Sequence, residues 1–177
     1  MKTSLIIVII VVLGVVAGAF WYFYRPNVNE GQIWATAETQ ETLPGWEGYA
    51  HPSLPFAFAH SKELVSNTFQ DGESEIVLLQ GPDPNQEIQI VARAFDEPGP
   101  LTVERIQRDV PEMVIDEPQN VLIGSAQIPA LLFWSTDNSA GRTREVWFVQ
   151  GGYLYQVTTK AENDELLAGI METWRFE

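Results

Sequence analysis

The 177-residue chain has no cysteine. That excludes a disulfide, a thiolate metal site, a thiol nucleophile and a lipidated cysteine after the hydrophobic run. A domain of roughly 130 residues must then hold its fold by an ordinary apolar core, and it is large enough to do so. The absence does not choose a compartment. Basic residues are also few: 10 Lys and Arg stand against 24 Asp and Glu, a formal net charge of −14. Past Arg25 only eight basic residues face all 24 acids, so that part carries −16. Phosphate backbones and anionic lipid surfaces repel such a domain, which sets nucleic-acid binding aside. The acidity can attract a basic partner or cations, but a solvated surface already accounts for it.

Recognisable chemistry is missing too. No glycine loop is built to cradle phosphate, and Gly124-Ser125 lacks the following glycine of a nucleophile elbow. Nothing supports a Ser-His-Asp arrangement on the chain's two histidines. The expectation is a non-enzymatic protein with no cofactor.

What the chain does have is one long apolar run. Leu5 to Tyr24 reads LIIVIIVVLGVVAGAFWYFY, without a charge. At about 1.5 Å per residue a helix of that length covers roughly 30 Å, the thickness of a bilayer's hydrocarbon core. The rival reading is a signal peptide cleaved after Ala17-Gly18-Ala19, which yields a secreted protein. Cleavage there would leave Phe20-Trp21-Tyr22-Phe23-Tyr24 as the mature start. The same rings suit the headgroup level of an uncleaved helix, which favours the anchor. A buried core helix is disfavoured by Lys2 and Arg25 flanking an all-apolar segment. Lys2 before the span places the N-terminus inside and the domain outside the cytoplasm, at the cell membrane as a single-pass protein.

Composition then divides the chain into an anchor at 1–25, a polar juxtamembrane linker at 26–44 and a domain at 45–177. The linker could reach about 60 Å if extended. From Trp46 the pattern becomes short strands separated by turns. Strands are predicted at 55–60, 75–79, 87–95, 120–124 and 128–135. Thr102 to Asp109 reads as a helix with Thr102 as its N-cap, Val103, Ile106 and Val110 as its apolar stripe and Pro111 as its stop. Gly151-Gly152 reads as the two-residue loop of a hairpin over 142–160. That loop sets Gln150 opposite Tyr153, Phe148 opposite Tyr155 and Val146 opposite Val157. A last helix is predicted over 163–174, with Leu166, Leu167, Ile170, Met171 and Trp174 at helical spacing. The order implies an α+β fold: a mostly antiparallel sheet of five to seven strands with helices on both faces. An all-β sandwich is the runner-up.

Several residues are candidates for binding. Trp134 and Trp147 alternate out of phase with Phe133 and Phe148, so one pair is placed to line a groove on the second sheet face; core packing is the competing explanation. Arg142 and Arg144 share a strand face and can orient an anionic ligand, or simply pair with local acids. His51 and His60, with Glu47 and Glu63, are conceivable metal ligands, but their spacing matches no ligand motif and surface histidines at strand ends are commoner. Asp83-x-Asn85-x-Glu87 resembles the start of a calcium loop, yet it lacks the sixth-position glycine and reads as a turn. No metal is therefore expected.

Three stretches carry a family resemblance. They are Tyr49-Ala50-His51-Pro52-Ser53-Leu54-Pro55-Phe56-Ala57-Phe58, the pair Arg144 to Val149 with Gly152 to Val157, and Leu166-Leu167 through Trp174-Arg175-Phe176. Together they resemble the domain family that includes the extrinsic P protein of photosystem II (PsbP) and the Ran-binding Mog-type proteins, and within it small bacterial membrane-anchored members. The resemblance runs from Trp46 to Glu177. His60-Ser61-Lys62 departs from the Pro-containing turn usual there. The resemblance implies an α-β-α sandwich and a role in binding other proteins rather than catalysis. It implies no photosynthetic role. The expected partners are the membrane, through the N-terminal helix, and an unidentified protein. The alternative is a domain that binds a small ligand or ion.

Overall fold

A computed structural model describes residues 44–137 and 141–177. The expected membrane anchor, and all of the linker but Pro44, lie outside the described residues. No helix among the described residues is long and apolar enough to cross a membrane.

Among the described residues ten strands form two sheets. The larger has seven strands, all with antiparallel neighbours. In spatial order they are β3 (Val65–Asp71), β4 (Ser74–Gln80), β5 (Glu87–Ala94), β9 (Tyr153–Lys160), β8 (Gly141–Gln150), β7 (Ile128–Asp137) and β6 (Asp116–Ile123). The smaller sheet runs β1 (Trp46–Ala50), β2 (Phe56–Ser61), β10 (Arg175–Phe176). The described residues also form two α-helices, α1 (Val103–Asp109) and α2 (Asp164–Thr173). The result is a mostly antiparallel α+β architecture with few helices. The seven strands reach the upper end of the expected number. The separate three-stranded sheet was not expected, because its closing strand is two residues long and joins β2 from more than a hundred residues away. β3 was also not expected. All seven of its residues are exposed, so no covered face gives it an alternating pattern.

Local chemistry explains the elements that were legible. The Thr102 hydroxyl accepts from the Arg105 N–H at 3.3 Å and starts α1. Gly151 and Gly152 sit at φ +60° and +81°, the left-handed geometry a tight hairpin needs. They hold Gln150 against Tyr153, Phe148 against Tyr155 and Val146 against Val157, the register expected from the loop.

Strand alternation sorts side chains into two apolar clusters. Val146, Phe148, Tyr155 and Val157 join Phe56 and Phe58 of β2 and Leu167, Ile170 and Met171 of α2. Trp147 and Leu154, of opposite parity, join Leu131, Phe133, Leu101 and Ile106 of α1. Trp174 is fully buried in the first cluster. Its ring stacks on Phe56 at 4.9 Å and on Phe58 at 5.3 Å, and meets Phe148 edge-on at 5.4 Å.

Gly124, just past β6, locks this cluster to the sheet. Its N–H donates to the Met171 carbonyl at 2.9 Å, its φ is +62°, and a Cβ there would overlap the Trp174 carbonyl oxygen. Gly124→Ala therefore faces backbone strain and a collision with backbone that cannot rotate away. A loss of about 2 kcal/mol is expected, read as a lower urea midpoint at unchanged slope.

Candidate functional site

β7 and β8 carry the four candidate side chains, and their register decides which of them meet. Trp134 lies opposite Arg144, and Thr136 opposite Arg142. Residues 134, 142 and 144 therefore share one face, next to the first apolar cluster. The two guanidinium carbons lie 4.5 Å (Arg142) and 4.2 Å (Arg144) from the centre of the Trp134 ring. Both distances are within cation–π range, where each contact contributes about 0.5–2 kcal/mol depending on desolvation. Trp134 is half-buried, Arg142 exposed and Arg144 buried. The Arg144 Nε–H donates at 3.0 Å to Asp164, the first residue of α2. The same guanidinium keeps a second nitrogen, Nη1, buried with no hydrogen-bond partner. The cluster thus presents an aromatic plane, one solvent-facing cation and one cation fixed from behind by a carboxylate. It is equipped to stack and to donate hydrogen bonds to planar or anionic groups of a ligand.

Trp147 is not part of it. It pairs with Leu131, so its ring lies on the opposite sheet face. There it is buried in the second cluster, edge-on to Phe133 at 5.7 Å. Its indole N–H donates to Glu145 at 3.0 Å.

Glu145 was not singled out from the sequence. It is 4% exposed and accepts hydrogen bonds from Thr143 Oγ1 (2.8 Å), Trp147 Nε1 (3.0 Å) and Thr158 Oγ1 (2.6 Å). Burial pushes its carboxyl up to about 7, while the three donors pull the other way. The signal that could have found it is parity. Glu145 shares its strand face with Trp147 and sits across from Thr158, an acid on an otherwise inward face.

The histidines correct an expectation. They are not surface residues: His51 is 7% and His60 2% exposed. His51 Nδ1 accepts from the backbone N–H groups of Leu54 (3.0 Å) and Ser53 (3.2 Å), and its ring packs 4.8 Å from Phe56. Burial lowers its pKa, with Glu75 opposing. His60 Nδ1–H donates to the Ser61 carbonyl at 2.8 Å. Both serve packing and loop closure. Among the described residues no three His, Asp or Glu side chains come together as a metal-ligand group. The Asp83–Glu87 stretch is a turn: Asp83 Oδ1 accepts from the Asn85 N–H at 2.8 Å, and Lys160 donates to Asn85 Oδ1 at 2.6 Å.

Two adjoining clefts lie where the start of α1 meets β6 and β7. One, of about 480 Å³, is lined mainly by Pro100, Leu101, Val121, Leu122, Pro129 and Ala130. The other, of about 280 Å³, includes Val103, Pro118, Asn120 and Leu131. Leu122 is 59% exposed at their margin. The first cleft is apolar, with few polar groups to fix a small molecule's orientation, whereas Thr102, Glu104 and Asn120 make the second mixed.

No protein-family model and no curated protein sequence matches the chain. Among solved structures, the solution structure of cyanobacterial PsbP (CyanoP) from Synechocystis sp. PCC 6803 is similar, with a TM-score of 0.51 at 7% identity. The match covers 80% of this chain and 98% of that one. At this identity the likeness concerns the fold, which is PsbP-like.

Proposed function

We propose that this chain is a membrane-anchored, extracytoplasmic and non-enzymatic member of the PsbP-like group that binds a protein partner, with the Arg142–Trp134–Arg144 cluster in the contact. The observation that carries the reading is the cluster itself. A half-buried tryptophan stacked by two arginines has the composition typical of binding hot spots, and it contains no nucleophile or general base. The open apolar cleft beside Leu101 and Leu122 supports the same reading over a small-ligand pocket. The anchor rests on the uncharged run from Leu5 to Tyr24, and the orientation on Lys2 before it. The α-β-α layering is supported by the two clusters, one containing α2 residues and the other Ile106 of α1.

The test is crosslinking in intact cells, followed by purification of the full chain and mass spectrometry of what accompanies it. A chain lacking residues 1–44 and a Trp134→Ala/Arg142→Ala double variant serve as comparisons. A reproducible partner is expected with the intact chain, reduced about tenfold or more in the double variant. A partner retained undiminished by the double variant would move the contact elsewhere. No partner above background would sink the protein-binding reading.

A further inference from the structure

The two edges of the seven-stranded sheet are built differently. At β6, Pro118 removes a donor, Glu117 takes φ +50°, and the register against β7 shifts between Asp116 and Gln119. Two acids, Asp116 and Glu117, stand on the same edge. These are devices that stop a strand from recruiting another. β3 at the far edge has no proline, no register shift and no residue at positive φ, and its one acid, Asp71, is its last residue. Its seven residues pair with β4 without a break, from Val65 opposite Gln80 to Asp71 opposite Ser74. It contains no proline, glycine or lysine, and every residue is exposed. Val65 is 64% and Phe69 39% exposed, on one face of the strand with Asn67 between them. Among the described residues the outer side of β3 pairs with no strand.

Charge does not oppose association at this edge, although residues 118–123 of β6 are uncharged too. From Leu64 to Gln70 there is no charged residue, in a chain of net charge −14. Two copies can approach here with less like-charge repulsion than the overall charge imposes. The strand is also self-complementary. Antiparallel pairing of β3 with β3 of a second copy, with the two-fold axis at Asn67, sets Val65 opposite the second copy's Phe69 at two symmetric places. Centring it at Thr68 would instead set Val65 against Asp71.

We infer that β3 is a self-association edge, through which two copies of this chain pair antiparallel about Asn67 into one continuous sheet. Among the described residues the seven-stranded sheet has one such edge, and the blunted β6 edge opposes growth of that sheet from its other side. The assembly closes as a dimer rather than extending as a fibre. Two aromatic–β-branched cross-strand pairs and the new ladder hydrogen bonds hold it. Glu63 falls opposite Asp71 of the second copy at each end of the paired segment. Salt should therefore tighten the dimer, whereas a basic peptide on the same edge would be weakened by salt.

The absence of cysteine supplies a clean assay. In the full chain, in mild detergent, Asn67→Cys places one thiol on the two-fold axis and Asp71→Cys places one away from it. Oxidation is expected to give covalent dimer at least about tenfold faster with Asn67→Cys. Sedimentation of the unmodified chain is expected to show a dimer that tightens with salt. Val65→Lys/Phe69→Lys sets lysine against lysine twice at exposed positions and should raise the dissociation constant at least about tenfold. Equal crosslinking rates for the two thiols, a monomer throughout the dilution series, or a dimer indifferent to the lysine pair would each overturn the proposal.

Discussion

Trp174→Ala is expected to cost about 3–5 kcal/mol, enough to unfold much of the population of a typical domain. Its ring contacts reach four strands of the two sheets. The Trp174 ring stacks on Phe56 and Phe58 of β2, meets Phe148 of β8 and Tyr155 of β9, and lies 6.4 Å from Phe176 of β10. Removing it leaves a cavity between the two sheets that rigid aromatic neighbours cannot close. It also loosens the carbonyl that Gly124 packs against. Trp174→Phe keeps a ring in the stack and should cost less than half as much. Urea unfolding followed by near-ultraviolet circular dichroism distinguishes the two. A loss below about 1 kcal/mol for the alanine variant would show that the small sheet contributes little to the stability of the domain.

The second large effect is a pH dependence centred on Glu145. Its folded-state pKa is about 7, above the ordinary 4.5, because burial disfavours the carboxylate. Between those values the native state holds a proton that the unfolded chain has released. Stability from this residue is thus fully present below pH 4.5, declines as pH rises through 7 and then levels off. The total loss is about 3 kcal/mol. Glu145→Gln keeps the side chain's shape and can still accept from Trp147 and Thr158 and donate to Thr143. The variant should match the parent within about 1 kcal/mol at pH 5 and exceed it by about 3 kcal/mol at pH 8. Using the difference between the two proteins matters, since His51 acts in the opposite sense. Its lowered pKa gives stability that is present above its ordinary value of 6.5 and lost as pH falls below its folded value. Parallel pH profiles for parent and variant would show that the three hydrogen-bond donors offset the burial of the charge.

Elements governed by neighbours along the chain could be read without a structure. Thr102 starts α1, Gly151-Gly152 turns the hairpin and sets its register, and the spacing of Leu167, Ile170 and Met171 marks the buried face of α2. In each case the determining interaction spans a few residues, so the local pattern contains it. β3 escaped because an uncovered strand has no buried face to imprint on its sequence. The histidines were misplaced because polarity and position at a strand end do not reveal that Phe56 and Phe58 pack beside them.

The candidate site divides along the same line. That Arg142 and Arg144 share a strand face follows from the period of a strand. That Trp134 lies beneath both guanidiniums, while Trp147 is turned to the other side, depends on the pairing of β7 with β8. So does the enclosure of Glu145 among Thr143, Trp147 and Thr158. The composition alone excluded thiol chemistry and disulfides, and it established a strongly acidic domain. Which side chains meet across strands was decided by the tertiary structure, because register follows from the burial of whole faces, and that energy is summed over residues far apart in the chain.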